Sequence, residues 1–525
     1  MDKLQGWAVF LFLVVLLWVC ASSATKRREI KKRRKEAYDF EPVNFDNSKS
    51  ASSARWASYK LLKAAGLFKG KGWRIGYSQS GKVMHYGGPG HLLLVAPARS
   101  GKAVTVLVAA LLAICKASRI IIDPKGELCA ITHARAAQFS NVVALDPFGL
   151  LKKIGVRGVK TVGLNPLAAL DHKSVSFGGD VESLADAIVW HEEGSGGDTH
   201  WTDSARQLVA AVIRVLVKHG GRHEKNLFAV RDVICGNVFE FARKWVNCGD
   251  SAVRQALGRY TATGAEASRE LNSVISTAVT QTDFLGMEGI SASLTVKDGL
   301  RFADLKRKRM TVYIILPLDK LASCGKWFRL CIAAALGDLL KAGPGGLPVL
   351  AVIDEFFSIG PLKAFQAAMS QAAGAAGLQL WPVLQDLAQL QTMYPREGWR
   401  TFLSNTAVKI FFGGHGDHET SDYISSLCGE REMVTLSRSV SEDRRVDYGG
   451  GLYDVNVNDS GATAWQRLFQ PHEVRRMNGA EMIVFCEGVG GPIWAKRKPY
   501  WKDCSGYGRN PYYRNGGGVW KAIFG

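Results

Sequence analysis

From about residue 90 to residue 415 the chain alternates short apolar runs with stretches of helical periodicity. The runs are LLLV (92–95), RIIID (119–123), NVVALD (141–146), TVYIIL (311–316), VLAVID (349–354), LQLWPVL (378–384) and VKIFF (408–412). Their apolar residues are consecutive rather than alternate, so each predicts a strand buried on both faces, as in a parallel sheet covered by helices. Helical patterns follow many of them, including Ala103–Cys115, Leu362–Ala376 and Asp386–Met393. The alternation predicts an α/β nucleotide-binding architecture.

Between about Ser174 and Leu305 the strand pattern stops. VESLADAIVWHEE, WTDSARQLVAAVIRVLVKHG and FAVRDVICG read as helices, with GSGGDT (194–199) as a flexible break. This predicts an all-α insertion, and its stripe of Leu208, Val212, Val215 and Leu216 reads as core packing. At the other extreme, Leu4 to Thr25 carries no charge and is long enough to cross a bilayer as one helix. KRREIKKRRK (26–35) follows it, with eight Lys/Arg and one Glu. Basic flanks stay cytoplasmic, so the pattern predicts an uncleaved, single-pass anchor with the body in the cytoplasm. A signal peptide cleaved near Ser22-Ser23-Ala24 fits the flanks less well. The expected organisation is an anchor over 4–25, then a basic, lipid-facing juxtamembrane segment and linker over 26–70. A nucleotide-binding domain in two parts, 71–173 and 306–503, encloses the all-α insertion at 174–305, and residues 504–525 form a flexible tail.

A length of 525 residues favours several subdomains over one core. The net charge of +20 suits a polyanionic partner, nucleic acid first among them. The ten cysteines are scattered without a C-x-x-C pair, which predicts reduced, mostly buried thiols rather than a disulfide framework or a metal site.

The candidate chemistry begins in HLLLVAPARSGKAV (91–104). A strand runs into Ala96, Pro97, Ala98, Arg99, Ser100, Gly101 and Lys102, and a helix begins near Gly101. Backbone N–H groups at such a helix start attract phosphate, and Lys102 supplies a point charge for the outer phosphates. The loop departs from G-x-x-x-x-G-K-[ST] twice: Ala96 replaces the first Gly and Ala103 the Ser or Thr. Ala96 matters only if that position needs a positive φ. Ala103 removes a magnesium ligand, and Thr105 lies on another face of the helix. Any Mg²⁺ would then rely on carboxylates, phosphates and water.

VLAVIDEF ends a strand in two carboxylates. Asp354 is the candidate for the magnesium shell and Glu355 for orienting or deprotonating the attacking water, against the alternative of a helix-capping Asp beside a surface Glu. Gln385 closes LQLWPVLQ, either as a γ-phosphate sensor or as a simple helix start.

These segments together resemble the type IV secretion coupling proteins of the TraG kind, from about residue 85 to 503. The loop is similar to that family's AP-x-R-[SA]-GK, and IIIDPKGELCAITHARA to its D-x-KGE segment. ALDPFG (144–149), LNPL (164–167), VIDEFFSIGPLKAF (352–365), LQDLAQLQTMYP (384–395) and FLSNTAVKIFF…DHETSDYISSLCGE follow in the family's order, as do RLFQPHEVRRM and AKRKPYWKD. The resemblance implies a P-loop NTPase with a RecA-like motor core, an all-α domain and assembly into a hexameric ring. It further implies an inner-membrane ATPase using ATP and Mg²⁺, which brings a conjugative DNA–relaxase complex or effector proteins to a secretion channel. Nucleotide binding passes to Arg99, Ser100, Gly101 and Lys102, the acidic pair to Asp354 and Glu355, and the sensor to Gln385. Asp123, Lys125 and Glu127 occupy the D-x-KGE positions, either as strand-tip carboxylates near a pore or as an internal ion pair. Two features depart from the family: one membrane helix instead of two, and SQAAGAAG (370–377) without the usual trans-acting Arg or Lys, for which Arg400 is a possible substitute. Two rival readings follow, a docking platform with structural nucleotide and a chromosomal DNA pump, which lacks the closing motifs.

Overall fold

The structure, a computed structural model, describes residues 53–512 apart from 114–115, 191–198, 266–267, 298, 373, 375 and 446–451, with scattered residues of 7–46. It divides into two compact units, Met1–Arg55 with Ser425–Gln470, and Trp56–Ile424 with Pro471–Gly525. In chain order the strands begin with β1 (Val43–Asp46), β2 (Trp73–Tyr77), β3 (Val83–Tyr86), β4 (His91–Val95), β5 (Ser118–Asp123), β6 (Asn141–Leu145) and β7 (Lys160–Thr161). Then come β8 (Met310–Ile315), β9 (Val349–Ile353), β10 (Leu378–Leu384), β11 (Thr406–Phe412), β12 (Glu430–Arg445), β13 (Leu452–Arg467), β14 (Glu481–Cys486) and β15 (Ile493–Lys496). The smaller unit is an antiparallel sheet in which β12 pairs with β1 on one side and β13 on the other.

The larger unit is built on one sheet of order β3-β2-β15-β14-β11-β4-β10-β9-β5-β8-β6-β7. Every neighbouring pair from β11 to β7 is parallel. All seven apolar runs lie in this parallel part. β4, β5, β8, β9 and β10 are buried at every residue, because helices cover both faces and leave no solvent side to alternate toward. The other edge, β14, β15, β2 and β3, is antiparallel and was not anticipated from the pattern.

Between β7 and β8 the described chain is helical, with Phe177–Ile188, Thr199–His219, Leu227–Cys235 and Arg269–Thr282 as its longest helices. Leu208, Val212 and Val215 of the anticipated stripe are almost wholly buried. Asn226, Asn237, Asp250 and Ser268 each accept a backbone N–H at a helix start, which fixes where four of these helices begin. Arg329, on the helix Lys326–Lys341, joins this region to the sheet. Its guanidinium donates to the carbonyls of Asp186 (2.9 Å), Ala187 (3.1 Å) and Pro361.

Three local departures bear on the site. The helix expected over Ala103–Cys115 opens with a π turn, Ala103–Leu107, before the α-helix Val108–Leu112; such widened turns concentrate at functional sites. Arg119, within the apolar strand β5, is 1% exposed and donates to the carbonyls of Leu111 and Ala113 at 2.5 Å each, which satisfies the end of that helix. Residues 504–512, expected as the start of a flexible tail, are docked: Gly508 N–H donates to the carbonyl of Ile131 at 2.7 Å. Residues 513–525 lie outside the described residues, as do nine residues of the anchor expected over 4–25 and most of the basic run. Among the described residues no helix is long and apolar enough to cross a membrane.

Candidate functional site

β4 and β10 deliver the phosphate-loop candidates. The N–H of Ala96 donates to the carbonyl of Leu384 at 2.9 Å, so the loop springs directly from the sheet. Within it, Arg99 (φ 59°) and Gly101 (φ 86°) are left-handed and flank Ser100. Left-handed turns of this kind make the concavity in which successive N–H groups face an anion. Among the described residues Ala96 is not one of the positive-φ positions, so the missing first glycine removes no needed freedom. Thr105 donates its hydroxyl to the carbonyl of Gly101 at 2.8 Å and is 2% exposed, so it does not replace the hydroxyl absent at Ala103.

β9 delivers the carboxylates. Asp354 continues the strand by donating its N–H to the carbonyl of Ile122 at 3.3 Å. Glu355 then turns left-handed (φ 57°), and Ser358 donates to its carbonyl from both N–H (2.9 Å) and hydroxyl (2.7 Å). Lys102 Nζ lies 2.9 Å from Glu355 Oε1 and 3.3 Å from Asp354 Oδ1. Gln385 Nε2 donates to Glu355 Oε2 at 3.2 Å. Lys102, Asp354, Glu355 and Gln385 therefore converge, and neither a helix-capping Asp354 nor a surface Glu355 describes the pair.

The electrostatics separate the two carboxylates. Burial raises the pKa of Asp354 and outweighs the attraction of Lys102, with the Glu355 charge adding to the rise. For Glu355 burial also acts upward, but the Lys102 ion pair prevails and holds it below its ordinary value. Burial disfavours the Lys102 charge, yet Asp354 and Glu355 together raise its pKa.

Asp123 and Glu127 form a second acidic layer on the neighbouring strand end. Asp123 accepts the N–H of Cys129 at 2.8 Å and so caps the helix Glu127–Ala136. Burial pushes its pKa up to about 7 against that hydrogen bond, with the charges of Asp354 and Glu127 adding. Glu127, 6% exposed and likewise raised by burial, accepts from Asn510 Nδ2 at 2.7 Å. Among the described ion pairs none joins Lys125 to either carboxylate; its charge acts on Glu127, Asp354 and Glu355 as a nearby field.

Other motif positions serve the scaffold. Asp146 accepts the N–H groups of Leu150 and Leu151. Asn165 reaches the carbonyl of Lys225. Asp417 caps Thr420, whose hydroxyl accepts the N–H of Leu387. Asp503 pairs with Arg74 at 2.5 Å and with Tyr77. Arg400 is exposed, pairs with Glu397 at 2.8 Å and lies over Trp399. Part of 370–377 lies outside the described residues.

One residue at the loop escaped the sequence reading. Arg497, 4% exposed, donates from Nη1 to the carbonyl of Ser100 at 2.5 Å. The only prior signal was a basic residue inside AKRKPYWKD.

The donor set fits a magnesium nucleotide: a concave loop, one lysine, and a strand-end carboxylate beside it. Among the described residues no group of three or more His, Cys, Asp or Glu is arranged to hold a metal ion. Mg²⁺ would thus share Asp354 with phosphates and water, which this ion accepts.

A family model described as Type IV secretory system Conjugative DNA transfer matches residues 44–516. Protein VirD4 of Agrobacterium fabrum is 27% identical over 476 residues, covering 88% of this chain and 67% of that protein. Conjugal transfer protein TraG of Escherichia coli is 26% identical over 518 residues, covering 86% of this chain and 76% of the relative. Among solved structures, the bacterial conjugative coupling protein TrwBdeltaN70 superposes with a TM-score of 0.61 at 16% identity, over 85% of this chain and 93% of that one. TrwB in complex with ADP and Mg²⁺ superposes at 0.59 and 16% identity, over 90% and 98%. At such identities the likeness establishes a common fold.

Proposed function

The chain belongs to the type IV secretory system conjugative DNA transfer family, the coupling proteins, and from that premise we propose that it is a membrane-anchored ATPase. It couples a conjugative DNA–relaxase complex, or an effector protein, to a type IV secretion channel. The convergence of Lys102, Asp354, Glu355 and Gln385 carries this reading. The ADP and Mg²⁺ of the TrwB complex, a protein of the same fold, support the choice of cofactor.

Bound ATP with Mg²⁺ supplies the γ-phosphoryl group and the divalent charge that neutralises it. The loop Ala96–Ala103 cradles the phosphates through the backbone N–H groups at its helix end, Gly101 to Ala103, and Lys102 binds the outer phosphates. Asp354 is the residue that would hold the ion. Glu355, ionised at neutral pH, orients the attacking water and accepts its proton, and Gln385 holds the carboxylate in line.

Six subunits form the ring, with 71–173 and 306–503 as the motor and 174–305 as the all-α domain. Basic residues grip DNA phosphates without reading bases, consistent with the +20 net charge. Residues 4–25 anchor the ring once in the bacterial inner membrane, with the body in the cytoplasm; the described Leu17 and Trp18, 68% and 71% exposed, are apolar surface of the kind lipid covers.

The test is DNA-dependent ATPase activity of the purified protein, expected in the parent and absent in Lys102→Ala. Complementation of transfer by Glu355→Gln should fail. Full transfer with that variant would mean that the nucleotide is structural and the protein a docking platform.

A further inference from the structure

We infer that Arg497 is a positioning residue of the nucleotide site, holding the phosphate-binding loop in shape from behind. The inference rests on the reading of Ala96–Ala103 as that loop.

Arg497 follows β15, four strands from β10 across the sheet, and its place is set independently of the loop. Its own N–H donates to the carbonyl of Ala480 at 2.9 Å. Its guanidinium carbon lies 3.8 Å from the ring centre of Phe412, the last residue of β11. From that platform Nη1 donates to the carbonyl of Ser100 at 2.5 Å. Burial of this guanidinium is opposed by solvation and lowers its pKa to about 9, so the interior position is not a default for the residue.

The bond falls at a strained point of the loop. Ser100 lies between left-handed Arg99 and left-handed Gly101. Gly101 adopts that backbone freely, whereas Arg99 carries a Cβ and does so against its preference. A hydrogen bond from a charged, rigid donor is strong enough to offset such a preference. Amide N–H and C=O groups point in opposite directions across a peptide plane. Fixing the Ser100 carbonyl outward therefore fixes the next N–H, that of Gly101, toward the concave side where phosphates bind. The loop has no hydroxyl at Ala103 to add a metal-mediated hold on the nucleotide, so its backbone shape carries more of the affinity.

The test compares full-length parent, Arg497→Gln, Arg497→Lys and Lys102→Ala for binding of a fluorescent ADP with Mg²⁺, with melting temperatures recorded alongside. The expected result is a dissociation constant raised about tenfold in Arg497→Gln, with partial recovery in Arg497→Lys, while hydrolysis at saturating ATP changes less than twofold. Hydrogen exchange across 96–103 should quicken in both variants and stay unchanged across 349–353. That localised loosening is the readout if the glutamine variant folds poorly. Parent-like affinity and parent-like exchange in both Arg497 variants overturn the inference. If Lys102→Ala also binds like the parent, the loop assignment itself has failed; if only Lys102→Ala loses binding, Arg497 alone is misassigned.

Discussion

Lys102 and Glu355 stand 253 residues apart in the chain and 2.9 Å apart in space. The contact closes a triangle with Asp354, in which one ammonium serves a buried carboxylate, Asp354, and a half-buried one, Glu355. Its asymmetry matters for chemistry: Glu355 receives Lys102 and Gln385 and stays ionised, whereas burial prevails at Asp354. A phosphate arriving at the loop would compete for the same ammonium and leave Glu355 as a better proton acceptor.

Glu355→Gln should therefore separate binding from turnover. The amide keeps the volume and can still face Lys102, so ADP affinity should change by less than about threefold. Loss of the proton acceptor should lower kcat by on the order of 10²-fold or more. Steady-state ATPase kinetics with direct ADP binding checks both; a variant that loses binding and turnover equally would place Glu355 in nucleotide affinity instead.

Asp123 predicts a pH dependence of stability. Its folded pKa, about 7, lies above the ordinary carboxylate value, so the folded state binds the proton more tightly than the unfolded state. The stabilisation from this group is present below about pH 4 and is lost as pH rises toward 7. Asp123→Asn retains an acceptor for the Cys129 N–H but cannot ionise, and its melting temperature should exceed that of the parent increasingly from pH 5 to 8. The difference is at most on the order of 4 kcal/mol. Parallel melting curves for the two proteins across that range would contradict the assignment.

The parallel half of the fold was legible because strands buried on both faces leave unbroken apolar runs, and all seven such runs are strands. The acidic pair was legible for the same reason: Asp354 and Glu355 interrupt VLAVI at the strand end where ligands gather in open α/β sheets. The antiparallel edge was not. WRIGY carries Arg74 and Gly76 among its apolar residues, and its burial depends on neighbours more than 400 residues later, as Lys496 pairing with Tyr77 shows. Arg497 with Ser100 and Asn510 with Glu127 were hidden likewise, since a single hydrogen bond between segments 397 or 383 residues apart leaves no periodicity. Glycine misled in the tail. Gly508 is needed because a Cβ there would collide with the carbonyl of Ala130, so it marks close packing rather than freedom.

Truncation after Asp503 tests that packing. It removes the Asn510 donor from buried Glu127 and the contact of the Tyr512 hydroxyl with the Lys125 carbonyl at 2.6 Å. An unpartnered buried carboxylate should destabilise the fold by about 1–3 kcal/mol. Asn510→Ala alone should reproduce a large part of the loss in a thermal melt. If the truncated and full chains melt together, the docked segment contributes nothing to stability.

Arg329 offers the remaining prediction, about how the helical region communicates with the acidic pair. Its guanidinium binds the carbonyls of Asp186 and Ala187 at the end of one helix and that of Pro361, while Trp190 lies over it at 5.3 Å. Pro361 follows the turn Phe356–Ile359, which begins at left-handed Glu355 and is capped by Gly360, so only one short, hydrogen-bonded segment separates the two sites. Lysine in place of Arg329 has a single ammonium for three divergent carbonyls, so at least one stays unsatisfied in a buried setting. Arg329→Lys should lower stability by roughly 1–3 kcal/mol. If the turn transmits the strain to Glu355, kcat should also fall severalfold while ADP affinity, set by the loop on β4, is kept. A loss of stability with unchanged kcat would confine Arg329 to holding the fold together.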